Sequence, residues 1–321
     1  MNRAATSLPS PAGISPGRKA LRRLAGRPSA WFAFGVIGLF LLIAVCCELH
    51  GAICEYRGTV PRYEQEDAAA AGTGPSAEHW LGTDYLGRDV LWRAAAGTVT
   101  AFKVGIAGAG IAVLIGVTLG LAAGHFGGWV DGMVVWLYSV FAAMPTLLFV
   151  LAFALLLNRG FLPEGFVSAL NGAAKCLRTD ASSLAVYVAI GLTGWSSMCV
   201  VVRAEAMKIT RKPFVAAARV AGVGEFRILL RHLLPNVGYL VIIFFTLRFA
   251  YAVMTEVIVS FLGVGGRAVP SWGLMIADGQ ERLWRGDWYE AGAATFGVFL
   301  LVLAFQLAGD TLRDALDPKG E

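Results

Sequence analysis

Charged side chains are scarce in this chain: Asp, Glu, Lys and Arg make up 15% of its 321 residues, whereas 57% are hydrophobic. Soluble domains carry about 25% charged residues. The deficit excludes an ordinary water-soluble domain and indicates a protein that folds in a lipid bilayer. The net charge of +5 is small, and the basic residues alternate with apolar stretches instead of forming one patch, which argues against nucleic-acid binding.

The motifs of common catalytic sites are also missing. The chain has no G-x-x-x-x-G-K-[ST] phosphate-binding loop, no H-E-x-x-H and no G-x-S-x-G. Its five cysteines show no C-x-x-C spacing, so neither a zinc site nor a redox site is expected. Cys54 and Cys176 could in principle pair, but free thiols are the simpler interpretation. We therefore predict a protein that is not an enzyme and that holds no metal or cofactor of its own.

Six apolar stretches are long enough to cross a membrane as helices, which takes about 20 residues for a hydrocarbon core of about 30 Å. They are residues 31–49, 98–123, 132–157, 183–202, 237–262 and 291–309. The first follows several arginines, as a signal peptide would, but its apolar run is longer than a signal-peptide core and no small-residue cleavage site follows it. We therefore predict an uncleaved first helix and an all-α polytopic membrane protein with six transmembrane helices.

The distribution of lysine and arginine predicts the orientation. The tail 1–30 has six basic residues and no acidic one, and the loop 203–235 has seven basic residues against two acidic ones. By the positive-inside rule, both segments and the C-terminus are cytoplasmic. The predicted division is a basic tail 1–30, a first transmembrane helix 31–49, an external segment 50–97 with a short helix, a five-helix core 98–309 with a loop at 203–236, and a cytoplasmic tail 310–321.

Small residues repeat every four positions in the second span. They are Gly108, Ala112, Gly116, Gly120 and Gly124. Such a stripe lets helix backbones approach closely in lipid, so it predicts helix packing and no chemistry.

Two features inside the spans leave a choice of interpretation. Met144 and Pro145 lie near the middle of the third span, where proline removes a backbone hydrogen bond and kinks the helix; the kink fits a moving pathway or a static bend equally well. Glu256 lies in the fifth span, and Arg248 precedes it by about 12 Å of helix, so the two cannot pair directly. Each needs a partner on another helix or subunit, or a water-filled path, and both a gate residue and a structural hydrogen bond remain open.

One basic, helical stretch, FVAAARVAGVGEFRILLRHLLPN (214–236), lies outside the apolar runs. Pro213 and Gly222 are the preferred start and stop residues of a short alanine-rich helix. From Glu225 onward, apolar residues follow helical spacing, with arginines on another face, up to Pro235. We expect two short helices, hinged at glycine and stopped by proline, which either dock on another protein or lie on anionic lipid.

This stretch resembles the coupling loop of bacterial ABC-transporter permease subunits, whose pattern is E-A-A, three residues, G, nine residues, then I-x-L-P. Gly222 and the alanine and leucine-proline pairs match at the same spacing, whereas Ala216 replaces the glutamate and His232 replaces the isoleucine. In that family the loop inserts into a groove of the ATPase subunit. The residues that the resemblance assigns to ATPase coupling are Pro213, Phe214, Val215, Ala216, Ala217, Ala218, Arg219, Gly222, Leu234 and Pro235.

Further segments resemble the dipeptide, oligopeptide and nickel branch of that family. They are HWLGTDYLGRDVLWR (79–93), FGGWVD (126–131), SFLGVG (260–265), PSWGLMI (270–276) and GDTLRDALDP (309–318). The first predicts a capped short helix with Asp84–Arg88 and Asp89–Arg93 pairs. Its singled-out residues are His79, Gly82, Thr83, Asp84, Gly87, Arg88 and Asp89. The 50–78 segment and the 158–182 loop are longer than the branch leads us to expect.

The resemblance implies a type I ABC importer permease fold with cytoplasmic coupling helices in a bacterial inner membrane. It implies a second homologous permease, two ATPase subunits that bind Mg-ATP, and an external solute-binding protein. Cargo would be peptides or a related solute such as nickel complexes, passing Met144, Pro145, Glu256 and Ser260. The rival hypotheses are an ion-gradient-driven carrier that uses Glu256 and Arg248, and a structural membrane scaffold.

Overall fold

The computed structural model describes residues 24–158, 161, 163–266 and 269–316, and helices dominate all of these parts. In chain order the helices are α1 (Pro28–Arg57), α2 (Val90–Phe126), α3 (Gly128–Ala143), α4 (Thr146–Asn158), α5 (Glu164–Cys176), α6 (Ala181–Thr210), α7 (Pro213–Val220), α8 (Glu225–Ile228), α9 (Leu234–Phe261), α10 (Trp272–Gln280) and α11 (Tyr289–Leu316). A π-helical turn at Leu229–Leu233 joins α8 to α9, and 3-10 turns lie at Ala68–Ala70 and Leu283–Arg285.

Within these ranges, five helices are long and apolar enough to cross a bilayer: α1, α2, α6, the continuous helix Glu225–Phe261, and α11. The bent pair of α3 and α4 supplies a sixth span. The all-α fold with six spans is therefore confirmed, although the third span is broken.

The first two spans are longer than their apolar stretches. Gly58, at φ +66°, ends α1 with a backbone N–H that bonds to Cys54 and Glu55 carbonyls. The Asp89 carboxylate begins α2 by accepting hydrogen bonds from two backbone N–H groups in its first turn. The connection between these helices therefore spans residues 58–89 rather than 50–97.

The prediction of a short helix within residues 79–93 is wrong for residues 79–89. These residues form turns and one isolated bridge between Thr83 and Asp89. The acidic side chains explain the difference. Asp84 caps a loop, because its carboxylate accepts from the backbone N–H groups of Leu86 and Arg88 at 2.9 and 2.8 Å. Asp89 caps α2 instead of ending a separate helix.

The glycine stripe of the second span packs α2 closely against α6, as predicted. A Cβ atom added at Gly116 would lie 2.9 Å from the Trp195 carbonyl oxygen, and one at Gly120 would lie 2.8 Å from that of Cys199. Contacts this short leave no room for a methyl group, so the two spans touch through their backbones.

The long 158–182 loop contains the amphipathic helix α5. Leu170 and Ala174 on one side of α5 are buried, and the Phe166 ring meets Phe153 of α4 edge-on at 6.4 Å. Cys176 at its end is exposed, whereas Cys54 is buried, and both thiols are free.

The two ends of the described chain lie on the same side of the molecule. Arg27, just before α1, forms an ion pair of 2.5 Å with Asp314 in the last turn of α11. Helix α11 also packs against α1. The tail 1–23 and residues 317–321 lie outside the described residues, so only residues 24–30 of the predicted first tail belong to the fold described here.

Candidate coupling site and translocation path

Helix α7 has the start and the stop that its sequence predicts. Pro213 occupies its first turn, where a missing N–H costs no hydrogen bond. Gly222 follows its end at φ +77°, and the backbone N–H of Val223 bonds to the Ala218 carbonyl at 3.0 Å while that of Gly222 bonds to Arg219 at 2.9 Å. These two bonds form a Schellman motif, which favours glycine.

The second half of the coupling stretch differs from the prediction, since Pro235 does not stop a separate helix. The chain runs without interruption from Glu225 to Phe261 and enters the fifth span. A wider π-helical turn absorbs the proline: the backbone N–H of Leu234 bonds to the Leu229 carbonyl, and the Asn236 side chain donates to the His232 carbonyl at 2.6 Å. Pro235 thus lies in the first turn of α9, where it is tolerated.

The underside of the coupling stretch is buried against the spanning helices. Val215 of α7, Ile228 of α8 and Leu233 of the π turn are fully buried. They belong to one hydrophobic cluster with side chains from the second and fourth spans. Those side chains are Val113, Val117, Leu121, Met198, Val202, Ala206 and Ile209. Helix α7 therefore rests on α6, and the π turn that follows it rests on both α2 and α6.

Large apolar side chains remain exposed on the other side of the same stretch. Val220 is 91% exposed and Phe226 is 70% exposed, and Phe214 and Leu230 are about half as exposed. Covering an exposed side chain of this size stabilises a complex by about 1.5–3 kcal/mol. We call these four residues the exposed apolar set; such a set marks an interaction site on a protein surface.

The two departures from the family pattern have visible consequences. Ala216 is exposed, no acidic residue stands in the first turn of α7, and the residue before the helix, Lys212, forms no side-chain cap. The His232 ring lies 6.2 Å from the Phe214 ring, so it packs against the beginning of α7 in place of the isoleucine.

Cations surround the coupling stretch. Arg211, Lys212, Arg227 and Arg231 are exposed, and none forms an ion pair within the described part of the chain. Arg219 is different, because it pairs with Glu225 through two hydrogen bonds of 2.9 and 3.2 Å.

The predicted kink at Met144 and Pro145 is a complete break. Helix α3 ends at Ala143, α4 begins at Thr146, and the two axes meet at 89°. Met144 has extended backbone angles, φ −87° and ψ 131°, as a residue before proline favours. Both Met144 and Pro145 are exposed.

Glu256 and Ser260 lie in a different environment, since both are buried within the described chain. The Ser260 hydroxyl donates a hydrogen bond of 2.6 Å to Glu256 Oε1, one turn away on the same helix. A Cβ atom at Gly273 of α10 would lie 2.7 Å from the Ser260 Cβ, so α10 presses on this point. The Ser271 side chain, which caps the start of α10, also hydrogen-bonds to the Glu256 carboxylate, so Glu256 has the expected partner beside another helix.

Arg248 does have a partner on another span. Its guanidinium donates to the Ser197 hydroxyl of α6 and lies 5.5 Å from the Tyr251 ring centroid. These contacts make Arg248 part of the helix packing.

The residues of the α1–α2 connection converge on Asp84, which is fully buried. Its carboxylate accepts from Arg88 Nε at 2.7 Å and from Arg93 Nη1, which confirms the predicted Asp84–Arg88 pair. The predicted Asp89–Arg93 ion pair is wrong, because Asp89 pairs with His79 at 2.9 Å. The Thr83 hydroxyl donates to the Ala70 carbonyl and holds the loop from the other side.

Two glycines allow the connection to fold this tightly. Gly82 and Gly87 have φ values of +74° and +78°. A Cβ atom at Gly82 would lie 2.6 Å from the Thr73 carbonyl oxygen, and one at Gly87 would overlap the Asp67 backbone. Only glycine fits both the angle and the space.

Sequence reasoning missed the partners of this network. Arg93 also lies 3.4 Å from Glu290 at the start of α11 and 3.9 Å from Asp278 of α10. The signal was weak, since Glu290 and Asp278 stand almost 200 residues further along the chain.

A second missed feature is a cavity of about 490 Å³ between α1, α2 and the α5–α6 turn. Glu48 at its wall pairs with Lys103 at 3.0 Å and with Arg178 at 3.5 Å. Burial and the neighbouring carboxylates raise the pKa of Tyr63 at the same wall to about 12.

Comparison with known proteins identifies the class. The sequence model of the family described as "Binding-protein-dependent transport system inner membrane component" matches residues 116–320. The chain belongs to this family, as the coupling stretch and its membrane anchor lead one to expect. It is therefore a multi-pass inner-membrane permease component of ABC importers, which confirms the resemblance.

Similar proteins are permease subunits of peptide importers. A dipeptide transport system permease protein from Alkalihalophilus pseudofirmus is 31% identical over 307 residues, covering 95% of this chain and 91% of the relative. One from Bacillus subtilis is 36% identical over 246 residues, covering 76% and 70%. A glutathione transport system permease protein from Pectobacterium atrosepticum is 31% identical over 286 residues, covering 88% and 85%. Nothing in these comparisons supports the gradient-driven carrier.

Proposed function

We propose that this chain pairs with a second, homologous permease, two ATPase subunits and an external binding protein, and that the assembly imports short peptides. The chain's ends lie in the cytoplasm, and ATP with magnesium binds to the ATPase subunits. The observation that carries the proposal is α7: its apolar residues are exposed on one side, and its buried side rests on the second and fourth spans. Helices in grooves are recognised through such anchors.

The peptide cargo is proposed from the relatives. Their printed names specify dipeptide, oligopeptide and glutathione transport. All three are short chains with an amide backbone and charged ends, which is the chemistry we propose for the cargo of this importer.

The path residues keep the roles that the sequence indicates. We propose that the break at Met144 and Pro145 is a hinge beside the path and that Glu256 and Ser260 gate it from α9. The hinge is supported by the 89° angle between α3 and α4. The gate is supported by the burial of the Glu256 carboxylate inside an apolar span, where ionisable residues commonly mark a transport path.

A pull-down with two variants of Gly222 tests the docking of α7. No atom lies within 4 Å of a Cβ atom added there, and φ is +77°. Both Gly222→Asn and Gly222→Arg place a side chain at a positive φ angle, and asparagine is the residue other than glycine that adopts this angle most readily. The main difference between the two variants is the size and charge that a groove would meet. We expect the ATPase subunits to co-purify with wild type and with Gly222→Asn, and to be lost with Gly222→Arg.

Either of two results would contradict this proposal: no ATPase with the wild-type chain, or equal amounts with both variants. A second test deletes the ATPase subunits and measures uptake of radiolabelled alanyl-alanine. Uptake that survives the deletion would rule out an ATP-driven importer, whereas uptake that needs the ATPase but excludes this dipeptide would correct the cargo alone.

A further inference from the structure

Three side chains from three elements meet beside the coupling helix. Glu225 lies between the other two: Oε1 of its carboxylate accepts from Arg219 Nε at 2.9 Å, and Oε2 lies 2.7 Å from His125 Nε2. Oε2 also accepts from Arg219 Nη2 at 3.2 Å. We call Arg219, Glu225 and His125 the coupling clip.

Each member of the clip belongs to a part of the chain with a different task. Arg219 stands in the last turn of α7. Glu225 is the first residue of the 37-residue helix that becomes the fifth span. His125 stands in the last turn of α2, the second span, and its side chain is fully buried. The Glu225 carboxylate thus belongs to the helix of the fifth span and contacts both the coupling helix α7 and the second span.

The backbone between α7 and α8 is a poor connection by itself. It contains Gly222 and Gly224, and no atom lies within 4 Å of a Cβ atom added at either position. Glycine in open space bends easily, since no side chain restricts its φ and ψ. Beneath α7 the buried apolar cluster bypasses this link. On the exposed side, a push on α7 would flex the link unless a polar side-chain contact bypasses it there.

We propose that Glu225 is a positioning residue that bypasses the glycine link, so that movement of α7 reaches the second and fifth spans together. This inference rests on the proposed function, in which α7 docks on an ATPase subunit. The Arg219–Glu225 pair is about half exposed, and exposed ion pairs contribute little to folding. On its other side the carboxylate meets the fully buried His125 ring, so the test replaces Glu225 with glutamine, which keeps a hydrogen-bonding side chain at this point.

The test uses the full assembly in liposomes: this chain, the second permease, the ATPase subunits and the binding protein. The measured quantity is the stimulation ratio, the rate of ATP hydrolysis with the binding protein divided by the rate without it. The variants are Glu225→Gln, His125→Gln and the double variant. The matched control is Glu205→Gln, because Glu205 forms a 3.0 Å pair with Lys208 within α6 and connects no two elements.

With Glu225→Gln we expect ATPase subunits to co-purify at the wild-type level while the stimulation ratio falls about fivefold or more, the range of a typical allosteric coupling. Glu205→Gln should keep the wild-type ratio. The double variant should be no worse than Glu225→Gln, because two residues that act through one contact do not add. His125→Gln gives an independent answer if Glu225→Gln does not fold.

A wild-type ratio in both single variants would overturn the clip while the proposed function stands. Loss of the ATPase from the Glu225→Gln assembly would overturn it as well, since Glu225 would then be a docking residue. Failure of the proposed function gives a different result: a wild-type assembly that contains no ATPase or shows no stimulation by the binding protein. That result would also overturn the role proposed for the coupling clip.

Discussion

Replacing Asp84 with asparagine removes the charge on which the α1–α2 connection is built. The carboxylate is fully buried and accepts hydrogen bonds from two backbone N–H groups and from two arginines. Asparagine offers one acceptor oxygen and presents an NH₂ group to the remaining donors. Breaking a buried ion pair costs about 3–5 kcal/mol. We expect the lower end, about 3 kcal/mol, because Arg93 keeps Glu290 at 3.4 Å.

Hydrogen exchange measures this cost locally. The backbone N–H groups of Gly72, Thr83 and Val90 form hydrogen bonds of 2.9–3.1 Å across the connection and exchange only when it opens. A loss of about 3 kcal/mol raises their exchange rates about 100-fold. The control is Asp287→Asn, since Asp287 is one-third exposed and pairs with Arg282 at 3.5 Å. An increase below about fivefold, the size expected for an exposed pair, would refute the buried-network argument.

Three further predictions follow from positions elsewhere in the chain. Gly120→Ala should destabilise the protein by about 1–3 kcal/mol, because its methyl group would meet the α6 backbone. The control Gly110→Ala has nothing within 4 Å of its Cβ atom and should leave stability unchanged or raise it by up to about 1 kcal/mol in the same thermal-unfolding assay in detergent. The pKa of Tyr63 is raised from 10.0 to about 12 in the folded protein, so the unfolded state ionises first and the wild type should lose stability as the pH rises between these values. Tyr63→Phe should lose less stability over the same range. Parallel curves of stability against pH for the two proteins would contradict this prediction. Phe226→Ala should weaken ATPase binding about tenfold or more in a titration, since an exposed anchor is lost; unchanged affinity would remove Phe226 from the docking surface.

Local signals account for what the sequence predicted well. The six apolar stretches fix the spans, because a bilayer demands helices of a set length. Pro213 and Gly222 predict the ends of α7, because each acts through its own backbone geometry.

Long-range contacts account for what the sequence did not show. Arg93 finds Glu290 through the folding of the whole chain, and no spacing rule reaches that far. The helix end predicted at Pro235 is wrong for a similar reason: a π turn accommodates the proline, and Leu233 of that turn packs in a cluster drawn from distant helices. The roles of the coupling and path residues remain predictions.

The ion pair between Arg27 and Asp314 makes the first and last helices neighbours at one end. Helix α1 is held by α2, its neighbour along the chain, and equally by α11 from the other end of the sequence. A short designed linker between the two ends would close the chain into a ring of helices. The ring could then be reopened between α4 and α5, and a circular permutant of this kind should keep the same packing of the described helices.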